Sequence, residues 1–277
     1  GPPVGVPGGS EYVSAQSASA SSTRDREDWL DYQVGEAEPG GWTLYTYGNS
    51  NELTHKVVDE DAYEGSKSYK IRIYNQYQST KQVDRVSLQR TIEKREELRV
   101  WTNASAGGNV VSAGVIVVFN LAGGGFKSIL YTRARKTYGV YEYTLAKFYR
   151  DGWRTPDKEI RVTASGWSEL VRNLKNDFEN EGWGSWSDVE SLEICLSAEA
   201  EWMNQTTWVT IYYDMVSVGP GEHAAEKAVD GDTNTRWVSD EANSWLKLDY
   251  GGVINCDGAR IYWNDEAEIR PTYFKLE

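Results

Sequence analysis

Apolar and polar positions alternate with period two along short stretches of most of this chain, the spacing of half-buried β-strands. Tyr69, Ile71 and Ile73 fall on one side of such a stretch, and Lys70, Arg72 and Tyr74 on the other. The pattern predicts strands near 42–47, 54–60, 67–75, 85–92, 98–103, 110–120, 126–134, 139–149, 158–164, 189–197 and 207–218, separated by Gly, Asn and Asp. So many short strands at this spacing imply a β-sandwich. Residues 165–182 stand apart: Trp167, Leu170, Val171, Leu174 and Phe178 fit helical spacing, which predicts a short helix across one end of the sandwich. Residues 1–27 are Pro/Gly-rich and then Ser/Ala-rich, with few apolar side chains to bury. They read as a flexible arm or linker, or as an arm that orders on a partner.

Composition narrows the function classes. The 29 Lys and Arg against 42 Asp and Glu give a net charge of -13. Nucleic acid is excluded as a partner, because neutralising phosphates needs a basic face. No apolar run approaches the roughly 18 residues of a membrane span. Trp (12) and Tyr (18) far outnumber Phe (5). Such rings, apolar on the face and polar at the tip, suit half-wet binding surfaces, although strand surfaces favour them too. Cys195 lies in an apolar run and Cys256 in a turn-like segment, so they read as unpaired thiols or as one bridge between domains.

Two resemblances add to this reading. Ala228, Asp230, Gly231, Asp232, Thr235 and Trp237, followed by Trp245, Leu248, Asp249 and Gly251, resemble the opening of a discoidin (F5/8 type C) domain. Ile261, Trp263, Arg270, Pro271 and Phe274 continue that pattern. The resemblance implies a β-sandwich whose end loops bind glycans, lipid head groups or proteins, mostly without catalysis. It also implies a domain longer than the stretch after Pro220, so the chain is expected to be an excerpt trimmed at both ends. The stretch 28–218 resembles jelly-roll carbohydrate-binding modules more loosely. The likeness rests on Pro39–Trp42, on Gly65, Ser66 and Ser68 before Ile71, on Trp186 through Ile194, and on Val209 through Val216 with its Asp214. The expected organisation is an arm at 1–27, a jelly-roll carbohydrate-binding-like domain at 28–218, and the N-terminal part of a discoidin-like domain at 219–277. The expected fold class is all-β: a jelly-roll β-sandwich followed by a partial discoidin-like β-sandwich.

Candidate chemistry comes from residue type. Sugar rings need aromatic platforms beside polar side chains. The loop Tyr149, Arg150, Asp151, Gly152, Trp153, Arg154 joins aromatics and guanidinium groups around a turn. Arg150 or Arg154 could meet a uronate or sulfate. Trp183 and Trp186, in a Gly/Ser-rich stretch, are further candidates, with core packing as the alternative. Calcium wants six to eight oxygens from a tight Asp/Asn/Gly turn. The discoidin resemblance implies Asp230, Asp232 and Thr235 as its ligands, with a metal-free Asx turn as the alternative. The jelly-roll resemblance implies a second site at Asp214, with Asp31 or Asp28 and Ser66 as partners. Catalysis is not expected: His55 and His223 are the two histidines, and no H-E-x-x-H, G-x-S-x-G or C-x-x-C motif is present.

These readings converge on a non-catalytic, extracellular or surface-exposed protein that recognises glycans or cell-surface polysaccharide. Two alternatives stand beside it. One is an adhesive or structural component assembling with copies of itself on a cell surface, filament or virion. The other is an accessory module of a polysaccharide-degrading enzyme.

Overall fold

The computed structural model describes residues 17–20, 30–32, 34–35, 40–48, 52–76, 82–108, 110–136, 146–202, 205–219 and 246–249. In chain order the strands are β1 (Ser17–Ala20), β2 (Leu30–Asp31), β3 (Thr43–Tyr47), β4 (Glu52–Val58), β5 (Ser68–Asn75), β6 (Gln82–Ile92), β7 (Glu97–Gly107) and β8 (Val110–Leu121). They continue with β9 (Phe126–Lys136), β10 (Phe148–Tyr149), β11 (Trp153–Arg154), β12 (Lys158–Arg161), β13 (Ser168–Asn173), β14 (Val189–Trp202), β15 (Thr207–Gly219) and β16 (Leu246–Asp249). The helix α1 (Leu174–Asn180) and a 3-10 turn at Trp186–Asp188 lie between β13 and β14.

Contacts divide the chain into two compact units, Trp29–Gly219 and a discontinuous one made of Gly1–Asp28 and Pro220–Glu277. The larger is a two-sheet sandwich. One sheet runs β12-β9-β8-β14-β6-β3, and the other β13-β7-β15-β5-β4 with β2 added beside β15. Pairing is antiparallel except between β12 and β9. The core is what the alternation predicts: Tyr69, Ile71 and Ile73 of β5 and Val209, Ile211 and Tyr213 of β15 face Val115, Val117 and Phe119 of β8 and Ile194 and Leu196 of β14. The Tyr213 hydroxyl ties the sheets together by donating to the carbonyls of Gly114 (2.7 Å) and Ser197 (3.1 Å), which satisfies a polar group that burial would otherwise penalise. Gly114 sits where β8 and β9 shift register, and a Cβ there would meet the Tyr131 carbonyl at 2.1 Å.

One expectation is corrected. Residues 168–173 are an edge strand on β7, not the first turns of a helix. Leu170 is buried while its neighbours Glu169 and Val171 are exposed, a period-two pattern, and the helix starts only after Asn173, whose side chain caps the Asn176 N–H (2.9 Å). Within the stretch 1–27, Ser17–Ala20 form a strand that pairs antiparallel with Leu246–Asp249.

Candidate functional site

The outer face of the six-stranded β12–β3 sheet carries a concentration of aromatic and charged groups. Cross-strand register builds it. Tyr45 and Tyr47 of β3 lie opposite Ser87 and Arg85 of β6, and those two lie opposite Ser197 and Glu199 of β14. Alternation sends all six side chains to the face away from the core. Onto this face folds the β10–β11 hairpin. Its turn uses Asp151 and Gly152, both with positive φ (50° and 117°), a conformation that an Asp-Gly pair tolerates. A small second core seats the hairpin: Ala146 and Phe148 pack on Ile116, Val118, Leu130 and Cys195. The Gln89 amide adds a two-point clamp on the loop backbone. Its nitrogen donates to the Tyr149 carbonyl (2.8 Å) and to Glu193 (3.1 Å), and its oxygen accepts from the Tyr149 N–H and the Ser87 hydroxyl (both 2.7 Å), the orientation that pairs every donor with an acceptor.

The result is a connected aromatic platform. Tyr149 stacks on Tyr45 with centroids 4.4 Å apart and meets Trp153 edge-on at 5.9 Å. The Arg85 guanidinium lies over the Tyr47 ring at 4.9 Å and the Trp153 ring at 5.8 Å. Tyr47 keeps 52% of its surface exposed and Tyr149 37%. Beneath them Glu199 is fully buried and accepts from Arg85 Nε at 3.0 Å, with Lys147 Nζ 3.9 Å from its other oxygen. Burial outweighs both cations and pushes the Glu199 carboxyl from 4.5 up to about 7. Its Oε1, like the hydroxyl of its cross-strand neighbour Ser112, has no hydrogen-bond partner among the described residues. Burial also raises the Glu193 carboxyl, and it raises the Cys195 thiol strongly; that thiol is free and buried.

The sequence-derived candidates divide accordingly. Tyr149 and Trp153 come together in the platform. Arg150 turns back onto the scaffold, donating to Asn120 Oδ1 and lying 4.5 Å over the Phe126 ring. Arg154 is exposed at the flank of the hairpin. Trp186 is 8% exposed and belongs to the core, where it and Trp183 pack against Phe119 and Phe178. Gly182 and Gly184, which flank Trp183, have positive φ (71° and 134°). Sequence reasoning missed Tyr45, Tyr47, Arg85 and Glu199. The readable signal for the first two was the alternation within 42–47.

Of the calcium candidates, Asp230, Asp232 and Thr235 lie outside the described residues. Asp214 is 2% exposed, and its carboxylate accepts from the backbone N–H groups of Tyr63 and Glu64 (both 3.1 Å) and Met215 (2.9 Å). It clamps the 59–67 loop, which lays Tyr63 flat on Trp101 on the other sheet at 3.4 Å. A carboxylate already accepting three N–H groups has little lone-pair capacity left for a cation. Asp31 is exposed and lies opposite Ser217 rather than Asp214. Among the described residues no three His, Cys, Asp or Glu side chains gather as a metal site.

The F5/8 type C domain family matches residues 213–277. Among solved structures, a carbohydrate-binding module described as one of the β-sandwich superfamily is 11% identical with a TM-score of 0.37; the match covers 70% of this chain and 61% of that one. The CBM22-1 xylan-binding domain from Paenibacillus barcinonensis Xyn10C is 13% identical with a TM-score of 0.34, covering 69% of this chain and 93% of that one. TmCBM61, solved with β-1,4-galactotriose, is 14% identical with a TM-score of 0.30, covering 67% of this chain and 99% of that one. Scores this low carry no functional weight, and the sandwich rests on its own strand pairing. No curated protein matches the chain. Among the described residues no helix is long and apolar enough to cross a membrane.

Proposed function

We propose that this chain is a non-catalytic, extracellular glycan-binding protein that holds its ligand on the Tyr45–Tyr47–Tyr149–Trp153 platform. The observation that carries the reading is the platform itself: neighbouring rings, two of them exposed, pinned by a clamped hairpin around one guanidinium. Aromatic faces take the apolar faces of sugar rings, and a fixed loop lowers the ordering cost of binding. The discoidin-like residues are compatible with a second binding unit on the same chain, which would add avidity. Calcium belongs to this proposal only at Asp230, Asp232 and Thr235, where EDTA should weaken any contribution of that unit.

The test is a glycan array with the full chain, its Tyr149→Ala variant and its Trp186→Ala variant. Removing a stacked ring contact of about 1 kcal/mol should weaken binding roughly fivefold to tenfold in the Tyr149 variant. The Trp186 variant, where folded, should bind as the parent does. A blank array from correctly folded protein, or equal binding by the Tyr149 variant, would refute the platform.

A further inference from the structure

We propose that Arg85 receives a carboxylate of the bound sugar, so that the platform selects uronic-acid-bearing glycans, and that Glu199 gates this contact by holding or releasing the guanidinium. The inference rests on the glycan-binding reading and gives it a ligand class. Its starting point is the bonding of Arg85. Nε donates to Glu199, the guanidinium plane is framed by Tyr47 and Trp153, and neither Nη has a partner among the described residues. The side chain keeps 13% exposure. A planar fork of N–H donors fixed by two rings suits a carboxylate, which it can bind through two parallel hydrogen bonds. A neutral sugar would leave that fork without a charge partner.

Glu199 supplies the gate. Facing it are Arg85 of β6, Lys147 ahead of β10, Glu201 on its own strand and the uncharged Ser112 of β8; Arg135 of β9, on the same face, is paired to Glu159 of β12. When ionised, Glu199 neutralises Arg85; when protonated, it leaves the guanidinium charge to the ligand. A uronate stays ionised well below neutral pH, as other carboxylates do. If the competent form is the one with Glu199 protonated, its share rises about tenfold between about pH 8 and about pH 6, and the observed affinity rises by the same factor.

The experiment is calorimetric titration of the full chain with trigalacturonate and with neutral galactotriose at those two pH values. Trigalacturonate should bind more tightly than galactotriose and gain about tenfold on going to the lower pH, while galactotriose should not respond. Glu199→Gln should bind trigalacturonate tightly at both. Arg85→Gln should lose the preference for trigalacturonate over galactotriose, with circular dichroism verifying the fold of both variants. Galactotriose bound as tightly as trigalacturonate, or a preference that survives Arg85→Gln, overturns this inference and leaves the general glycan reading standing. Neither ligand bound by folded protein overturns both.

Discussion

Replacing Glu199 by Gln should stabilise the protein above neutral pH, against the usual expectation for a broken ion pair. Glu199 has no exposed surface, and its folded-state carboxyl lies at about 7 against 4.5 for the ordinary group. Because the folded value is raised, the stability associated with the neutral form is fully present below about 4.5 and is lost as pH rises through about 7. Each pH unit between the two values corresponds to about 1.4 kcal/mol, so the ionised carboxylate costs about 3 kcal/mol relative to a neutral isostere. Gln keeps an oxygen for Arg85 Nε and removes the charge. For a domain of this size the gain is a rise of about 10 °C in Tm near pH 8, shrinking to nothing near pH 4.5. Thermal unfolding followed by near-ultraviolet circular dichroism across that range is the assay. The competing expectation is explicit: removing one partner of a buried pair often destabilises by about 3–5 kcal/mol. Here Arg85 is partly exposed and rests between two rings, so it is not stranded. A Glu199→Gln protein that melts lower than the parent near pH 8 would show that pairing with Arg85 outweighs the cost of burial.

Trp186→Ala should lose about 3–5 kcal/mol by opening a cavity against Phe119 and Phe178, read as a lower denaturation midpoint. Asp214→Ala strands the N–H groups of Tyr63, Glu64 and Met215 and should cost about 3 kcal/mol, with faster hydrogen exchange at those three amides as its local signature. Deleting residues 1–27 removes the partner of Leu246–Asp249, so those amides should lose exchange protection while β5 and β15 keep theirs. Unchanged protection at 246–249 would mean that the pairing does not persist in solution.

Much of the sandwich was legible because a strand with one buried face has to alternate: β5, β6, β14 and β15 all fall within a few residues of their predicted positions. The strand β8 reads instead as an almost continuous apolar run, for a physical reason. Val115 and Val117 face the main core, while Ile116 and Val118 face the small core under the β10–β11 hairpin. The segment 165–182 failed because Leu170, Leu174 and Phe178 satisfy helical spacing even though only the last two are helical; edge pairing to β7 is a tertiary choice that local spacing does not encode. The site was half legible. Tyr149 and Trp153 share a loop, but their partners Tyr45, Arg85 and Glu199 are scattered along the chain, and only the order β14-β6-β3 gathers them. Charged residues within strands, such as Arg85 and Glu199, were the overlooked sign, since a buried strand position tolerates charge only when it is paired.

The two units are not simply in series. The discoidin-type match begins at residue 213, yet Tyr213–Gly219 close β15, a strand hydrogen-bonded to β5 and β7 and buried at Tyr213, Val216 and Val218. Those residues already belong to the sandwich core, and the second unit resumes at Pro220. That unit takes its described strand partner from Ser17–Ala20, on the far side of the whole sandwich in sequence. Along the chain one described strand of the discontinuous unit therefore comes first, then the sandwich, then the rest of that unit. That order explains why a Ser/Ala segment without apolar content of its own reads as an arm in sequence: its strand partner lies more than two hundred residues away.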